Sequence, residues 1–167
     1  MTHPAAALAS TLAIQTLASL VATAPSVLAP VVAPSLGFGA ERVGLFVGLT
    51  YLTAMLSGLA SGAWVARFGA VRVSQAAMLA CALATLAALA GSLLPLALAA
   101  LALGTGYGII NPAASTLLAR HAPLSRRGLF FSIKQTGVPL GVASAGLLMP
   151  LGLHALGWRP SIVLAGA

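Results

Sequence analysis

Aspartate is absent from this chain, and glutamate occurs once, at Glu41. Charged residues make up only 5% of the 167 positions, against roughly 25% in a soluble domain. So few charges cannot solvate the surface of a water-soluble protein of this length. The single cysteine, Cys81, excludes an intrachain disulfide and offers no metal cluster. Aromatic residues are also scarce, at 5%. The formal charge of +7 is therefore not backed by the interleaved stacking side chains of a nucleic-acid surface, and no nucleic-acid partner is expected. Acid–base or metal-assisted chemistry inside a membrane needs carboxylates, a nucleophile with its base, or a metal. Here the apolar runs carry no acid, and His3, His121 and His154 fall at ends or in loops. The chain is accordingly read as a non-enzyme that needs no cofactor.

What the chain has instead is apolar length. Hydrophobic residues reach 60%, in five runs near Ala5–Val32, Val43–Ala66, Val73–Leu94, Leu96–Ala119 and Leu129–Leu153. A bilayer core of ~30 Å takes about 20 helical residues to cross. Each run is long enough, and frequent Gly and Pro suit membrane helices. The expected fold class is an all-α integral membrane bundle, with the lipid bilayer as its surroundings. The first run has no Lys or Arg before it, and Pro25 follows the small-residue stretch Ala22-Thr23-Ala24. It reads as a retained helix rather than a cleaved leader.

Arginine placement predicts orientation. Arg67 and Arg72 lie between the second and third runs; Arg120, Arg126 and Arg127 lie between the fourth and fifth. The alternate links hold only Arg42 and Arg159. The positive-inside rule places the richer side, and with it the N-terminus, in the cytoplasm. The expected location is a bacterial inner membrane.

Gly157-Trp158-Arg159-Pro160 has the interfacial anchors and first-turn proline of a sixth helix. Too few residues follow it to span, so the chain is expected to be a fragment of a longer protein. Arg42-Val43-Gly44-Leu45-Phe46 at the second helix is echoed by Arg127-Gly128-Leu129-Phe130 at the fifth. Phe68-Gly69-Ala70-Val71-Arg72 is echoed by Leu156-Gly157-Trp158-Arg159. The order of helix starts thus recurs after about 84 to 88 residues. Three helices per copy invert the second copy, as in one class of secondary transporters. Residues 1–167 are read as one transmembrane domain, with a first repeat near 5–94 and a second near 95–167, truncated.

Two motifs carry a family resemblance. The link between the second and third helices reads Gly62-Ala63-Trp64-Val65-Ala66-Arg67-Phe68-Gly69-Ala70-Val71-Arg72. It resembles the Gly-x-x-x-Asp-Arg-x-Gly-x-x-Arg signature of major facilitator superfamily transporters. Gly62, Arg67, Gly69 and Arg72 match, while Ala66 stands where that family has Asp. The fifth run contains Gly137-Val138-Pro139-Leu140-Gly141, similar to the family's Gly-Pro-x-x-Gly-Gly element, within the longer stretch from Ser132 to Gly141. The resemblance covers essentially the whole chain. It implies the amino-terminal half of an alternating-access transporter: five complete helices plus the start of a sixth, inverted three-helix repeats, a small-molecule substrate, and a missing carboxy-terminal half. It further implies that Gly62, Arg67, Gly69 and Arg72 form a gating loop, and that Gly137, Pro139 and Gly141 form a helix-packing element. The alternative is a non-transporting structural or assembly protein of the membrane, or an inactive truncated fragment.

Ala54, Gly58 and Gly62 recur every four residues, as do Gly137, Gly141 and Ala145. Such spacing suits close helix packing, which a sliding surface also uses. Gly104-Thr105-Gly106-Tyr107-Gly108 follows no strand and lacks nucleotide-loop spacing. Gly104, Tyr107, Asn111 and Ser115 instead share one helical face, and Pro112 is expected to kink that helix. Lys134 is the sharpest feature. It lies about 10 Å into the fifth helix from Arg127, and Asn111 about 13 Å in from Arg120 on the same side. With Gln15 they can meet at one depth. Lys134 either snorkels to headgroups or faces a cavity. Gln15, Tyr107, Asn111, Lys134 and Gln135 are the candidate substrate-binding residues. With no acid to neutralise Lys134, they bias the substrate toward an anion.

Overall fold

The computed structural model describes residues 3–166. The elements are α1 (Pro4–Ser35), α2 (Ala40–Phe68), α3 (Ala70–Ala88), α4 (Leu93–His121), a 3-10 turn (Leu124–Arg126), α5 (Arg127–Gln135), α6 (Gly137–Leu156) and α7 (Trp158–Gly166). Five helical stretches are long and apolar enough to cross a membrane: α1, α2, α3, α4, and the run Leu124–Leu156 that holds α5 and α6. The α7 start at Trp158, straight after Gly157, matches the expected sixth helix.

Two expectations need correction. The third helix was placed as far as Leu94, but α3 stops at Ala88 and Leu93 already opens α4. Gly91, at φ +65°, takes the left-handed conformation that reverses the chain, and Ser92 is extended. Glu41 was placed outside the helices, yet it lies in the first turn of α2, where a carboxylate favours the positive helix end. α4 stays one continuous helix through Pro112, the proline expected to kink it. A break in the fifth span falls at Thr136, between α5 and α6. There Pro139 has no N–H to give to the Gln135 carbonyl, so one rung of the ladder is missing.

The packing is built from small residues. α4 lies along both α3 and α2 and also touches α1; α1 lies along α6; α7 rests on α6, α1 and α3. Ala18, Ala24, Ala99, Ala100, Ala113 and Ala114 are buried where these helices meet, with Leu28, Ile110 and Leu118 filling the gaps. Lipid tails are as apolar as leucine, so helix association in a membrane relies on close van der Waals contact rather than on hydrophobic burial. Gly104 and Gly108 of α4 meet α2: a Cβ on them would collide with the Thr50 and Ala54 carbonyls. Gly106, on the other side of α4, meets α3, where a Cβ would stand 2.5 Å from the Ala77 carbonyl oxygen. Gly141 of α6 is equally closed by the Thr16 carbonyl of α1, and Gly137 by Gln15 and Leu12. Thus Gly104-Thr105-Gly106-Tyr107-Gly108 is a two-sided packing ridge. Many hydroxyls bond back to their own helices, as Thr11 does to Ala7 at 2.7 Å and Thr85 to Ala82 at 2.7 Å, though those of Ser19 and Ser74 do not. Such a bond satisfies a hydroxyl where water is absent.

The turns at Gly69 and Gly157 have the same geometry. Their φ values are +83° and +84°. Each N–H donates to a carbonyl at the end of the preceding helix, that of Val65 at 2.9 Å and that of Leu153 at 3.0 Å. Each carbonyl then starts the next helix, accepting from Val73 at 3.1 Å and from Ser161 at 3.4 Å. The packing partners also exchange: α2 lies on α4, while the α5–α6 span lies on α1.

Candidate functional site

Asn111 and Ser115 are four residues apart on α4 and therefore stand one above the other on one face. Lys134 is the penultimate residue of α5 and reaches across to them. Its ammonium donates to Asn111 Oδ1, to Ser115 Oγ at 3.2 Å and to Gln135 Oε1 at 3.1 Å. The Asn111 backbone oxygen lies further off, at 3.5 Å. A lysine has three protons to donate, and three uncharged side-chain oxygens receive them. Lys134 is the largest of the fully buried side chains, at 0% exposure. It does not snorkel; its charge is held inside the bundle by dipoles alone. Among the described residues no carboxylate approaches it, since the one acid of the chain, Glu41, lies at the far end of α2.

The chain has one lysine and one asparagine, and they bond to each other. An intramembrane charge costs about 2.5–3.5 kcal/mol even on the most lenient scale. Three charge-assisted hydrogen bonds, each roughly 1.5–3 kcal/mol, are enough to offset that. Asn111 and Gln135 are exposed, and Tyr107 and Ser115 are half-buried. Sequence reasoning placed Ser115 on this face without naming it a ligand; the i, i+4 spacing from Asn111 was the signal.

The other expected site residues are placed as follows. Gln15 is only 2% exposed and lies against Gly137, and its Oε1 has no protein partner. It lies at the α1–α6 contact and makes no hydrogen bond to Lys134. Tyr107 packs against the apolar core and joins no hydrogen bond of this group. Gly62 is exposed, with open space where a Cβ would stand. Arg67 stacks its guanidinium 5.2 Å from the centre of the Phe68 ring, Gly69 makes the turn, and Arg72 is exposed in the first turn of α3. Gly137 and Gly141 are buried against α1, and Pro139 breaks the helix beside Lys134.

One latch was not foreseen. Arg127 Nη2 donates to the Ala119 carbonyl at 2.7 Å, and His121 Nδ1 meets the Leu117 carbonyl at 2.9 Å. Together with the Ala122 N–H on Leu118, at 2.8 Å, they occupy three carbonyls at the C-terminal end of α4. A cation there also complements the helix dipole. Away from the lysine, an apolar cavity of about 130 Å³ lies between α1, α2 and the start of α4, with Arg42 and Trp158 in its lining. A groove of about 640 Å³ runs between the first halves of α1 and α3, past Ser10, Ser74 and Gln75.

A multi-pass helical bundle with small-residue contacts, and with a buried lysine held by three polar side chains, has the features of membrane proteins that handle polar solutes. Comparison with protein families is more specific. Residues 11–167 match the Major Facilitator Superfamily, and the chain belongs to that family. Its members are transporters rather than enzymes, so the activity to which this chain belongs is transmembrane transport. Comparison with curated proteins gives no match.

Proposed function

We propose that this bundle forms one wall of an alternating-access path for a small anionic solute, with its polar site at Lys134, Asn111, Ser115 and Gln135. The observation that carries the reading is a fully buried ammonium held by three neutral oxygens and by no acid. An ion so placed leaves a positive potential at the exposed amides. An arriving anion relieves it, whereas a cation adds to the repulsion. Asn111 and Gln135 support a second wall. Amides exposed at mid-span would be unsatisfied against hydrocarbon, so this face suits a second helix bundle, from the same polypeptide or from another copy. The repeat of three helices, inverted, is supported by the matching turns at Gly69 and Gly157. With the arginine-rich links in the cytoplasm, the N-terminus lies there too, in a bacterial inner membrane.

The test is solute binding and uptake by the purified protein in liposomes. We expect saturable binding of small carboxylates or phosphates over neutral and cationic analogues. Concentrative uptake is expected only when a second bundle is supplied. Preference for a cation, or no discrimination by charge, contradicts the anionic reading. Robust uptake by the monomeric 167-residue chain contradicts the need for a second wall.

A further inference from the structure

A charged lysine can only donate. The atoms of Asn111 and Gln135 that face its Nζ must therefore be their carbonyl oxygens, whichever way an amide is drawn. Both oxygens are committed, Oδ1 of Asn111 and Oε1 of Gln135. What each exposed side chain leaves free is its NH2 group, and among the described residues neither nitrogen donates to a protein acceptor. Ser115 behaves in the same way: its Oγ accepts from Lys134 at 3.2 Å, which leaves its own proton free. The ammonium itself is at 0% exposure and has spent its three protons. Lys134 thus turns three ambivalent groups into donors and then stands behind them.

We propose that the solute is an oxyanion recognised by the outward N–H groups of Asn111 and Gln135 and the Ser115 hydroxyl, with Lys134 as the positioning residue rather than the group that touches it. This rests on the anionic reading above and names how the anion is read. Hydrogen bonds in a chain polarise one another, so an amide whose oxygen is bound to an ammonium donates more strongly through its nitrogen. A ligand with only acceptors fits such a surface. A neutral amide meets it with half its own groups mismatched, and an amine has nothing to offer it.

The chain suits a direct test, because it has one asparagine and one lysine. Protein labelled with 15N-asparagine shows a single side-chain NH2 pair, and lysine labelled with 15N at Nζ reports the one ammonium without altering its donors. In lipid nanodiscs, four-carbon probes of matched length are added: succinate, its neutral diamide, and the diamine putrescine. We expect succinate to move the Asn111 NH2 signals saturably, with the diamide weaker and the diamine silent, while the Lys134 signal moves little. Lys134→Met should weaken succinate by about tenfold or more, the scale of losing a hydrogen bond to a charged group, and should narrow its advantage over the diamide. Asn111→Asp keeps an oxygen for Lys134 and so keeps the fold, but it should abolish succinate binding. A Lys134 signal that moves strongly while Asn111 stays still overturns the positioning role and leaves an anion site in which the ammonium binds directly. Equal responses to all three probes, or none to any, overturns both the anion reading and this inference.

Discussion

At the scale of the residue, what distinguishes this chain is a charge without a counter-charge. Lys134 is tolerated because three side-chain oxygens converge on it, from Asn111 and Ser115 one turn apart on α4 and from Gln135 at the end of α5. Other single residues hold the loops. Arg127 bonds the Ala119 carbonyl across the turn that links α4 to α5. Arg127→Ala is expected to cost about 0.5–1.5 kcal/mol. Faster amide hydrogen exchange from Ala119 through Leu124, with no change elsewhere, would be its signature; uniform exchange would show that the latch is idle. Gly69 and Gly157 share a left-handed φ. Replacing either by Ala puts a Cβ into a conformation that costs about 1–2 kcal/mol. The two losses in thermal stability should be alike, because nothing stands within 4 Å of either position to add a second penalty.

At the scale of the element, glycine decides which helices touch. Gly108→Val and Gly141→Val each drive side-chain atoms into a neighbouring backbone carbonyl, of Ala54 and of Thr16. Both are expected to lower the melting temperature sharply, since overpacking a tight contact costs about 1–3 kcal/mol or more. Gly62→Val, at a position with open space around it, should be near neutral in stability. Equal effects at all three would contradict the packing described. Pro139→Ala restores an N–H for the Gln135 carbonyl and should join α5 to α6. Stability should rise slightly while anion binding falls, because the end of α5 that carries Lys134 moves. Much of this was legible in the sequence. Apolar length gave the five spans, the i, i+4 rule put Asn111 with Ser115, and depth counted from the flanking arginines brought Lys134 to Asn111. The α3–α4 boundary was not legible, because Leu89–Leu94 is as apolar as a helix and only the backbone angle of Gly91 reveals the turn. Nor was the fate of Gln15. Its direction depends on how α1 rotates against Gly137, which spacing along one helix does not contain.

At the scale of the whole molecule, the bundle is a membrane domain of the Major Facilitator Superfamily, with Asn111 and Gln135 exposed beside a buried lysine. The proposed orientation rests on the arginine distribution. Reporter fusions after Gly91 should read outside and fusions after His121 inside; the reverse would refute the cytoplasmic N-terminus. The central claim is that Lys134 organises a site for an anion. The most direct measurement is equilibrium binding of a panel of labelled small carboxylates and phosphates to the protein in nanodiscs, as wild type, Lys134→Ala and Lys134→Arg. The account predicts saturable binding of at least one anion, loss of that binding in Lys134→Ala, and partial retention in Lys134→Arg, whose charge and donors persist. If Lys134→Ala binds the panel as the wild type does and changes only how the protein inserts, Lys134 is a topology residue and the site is not where we place it.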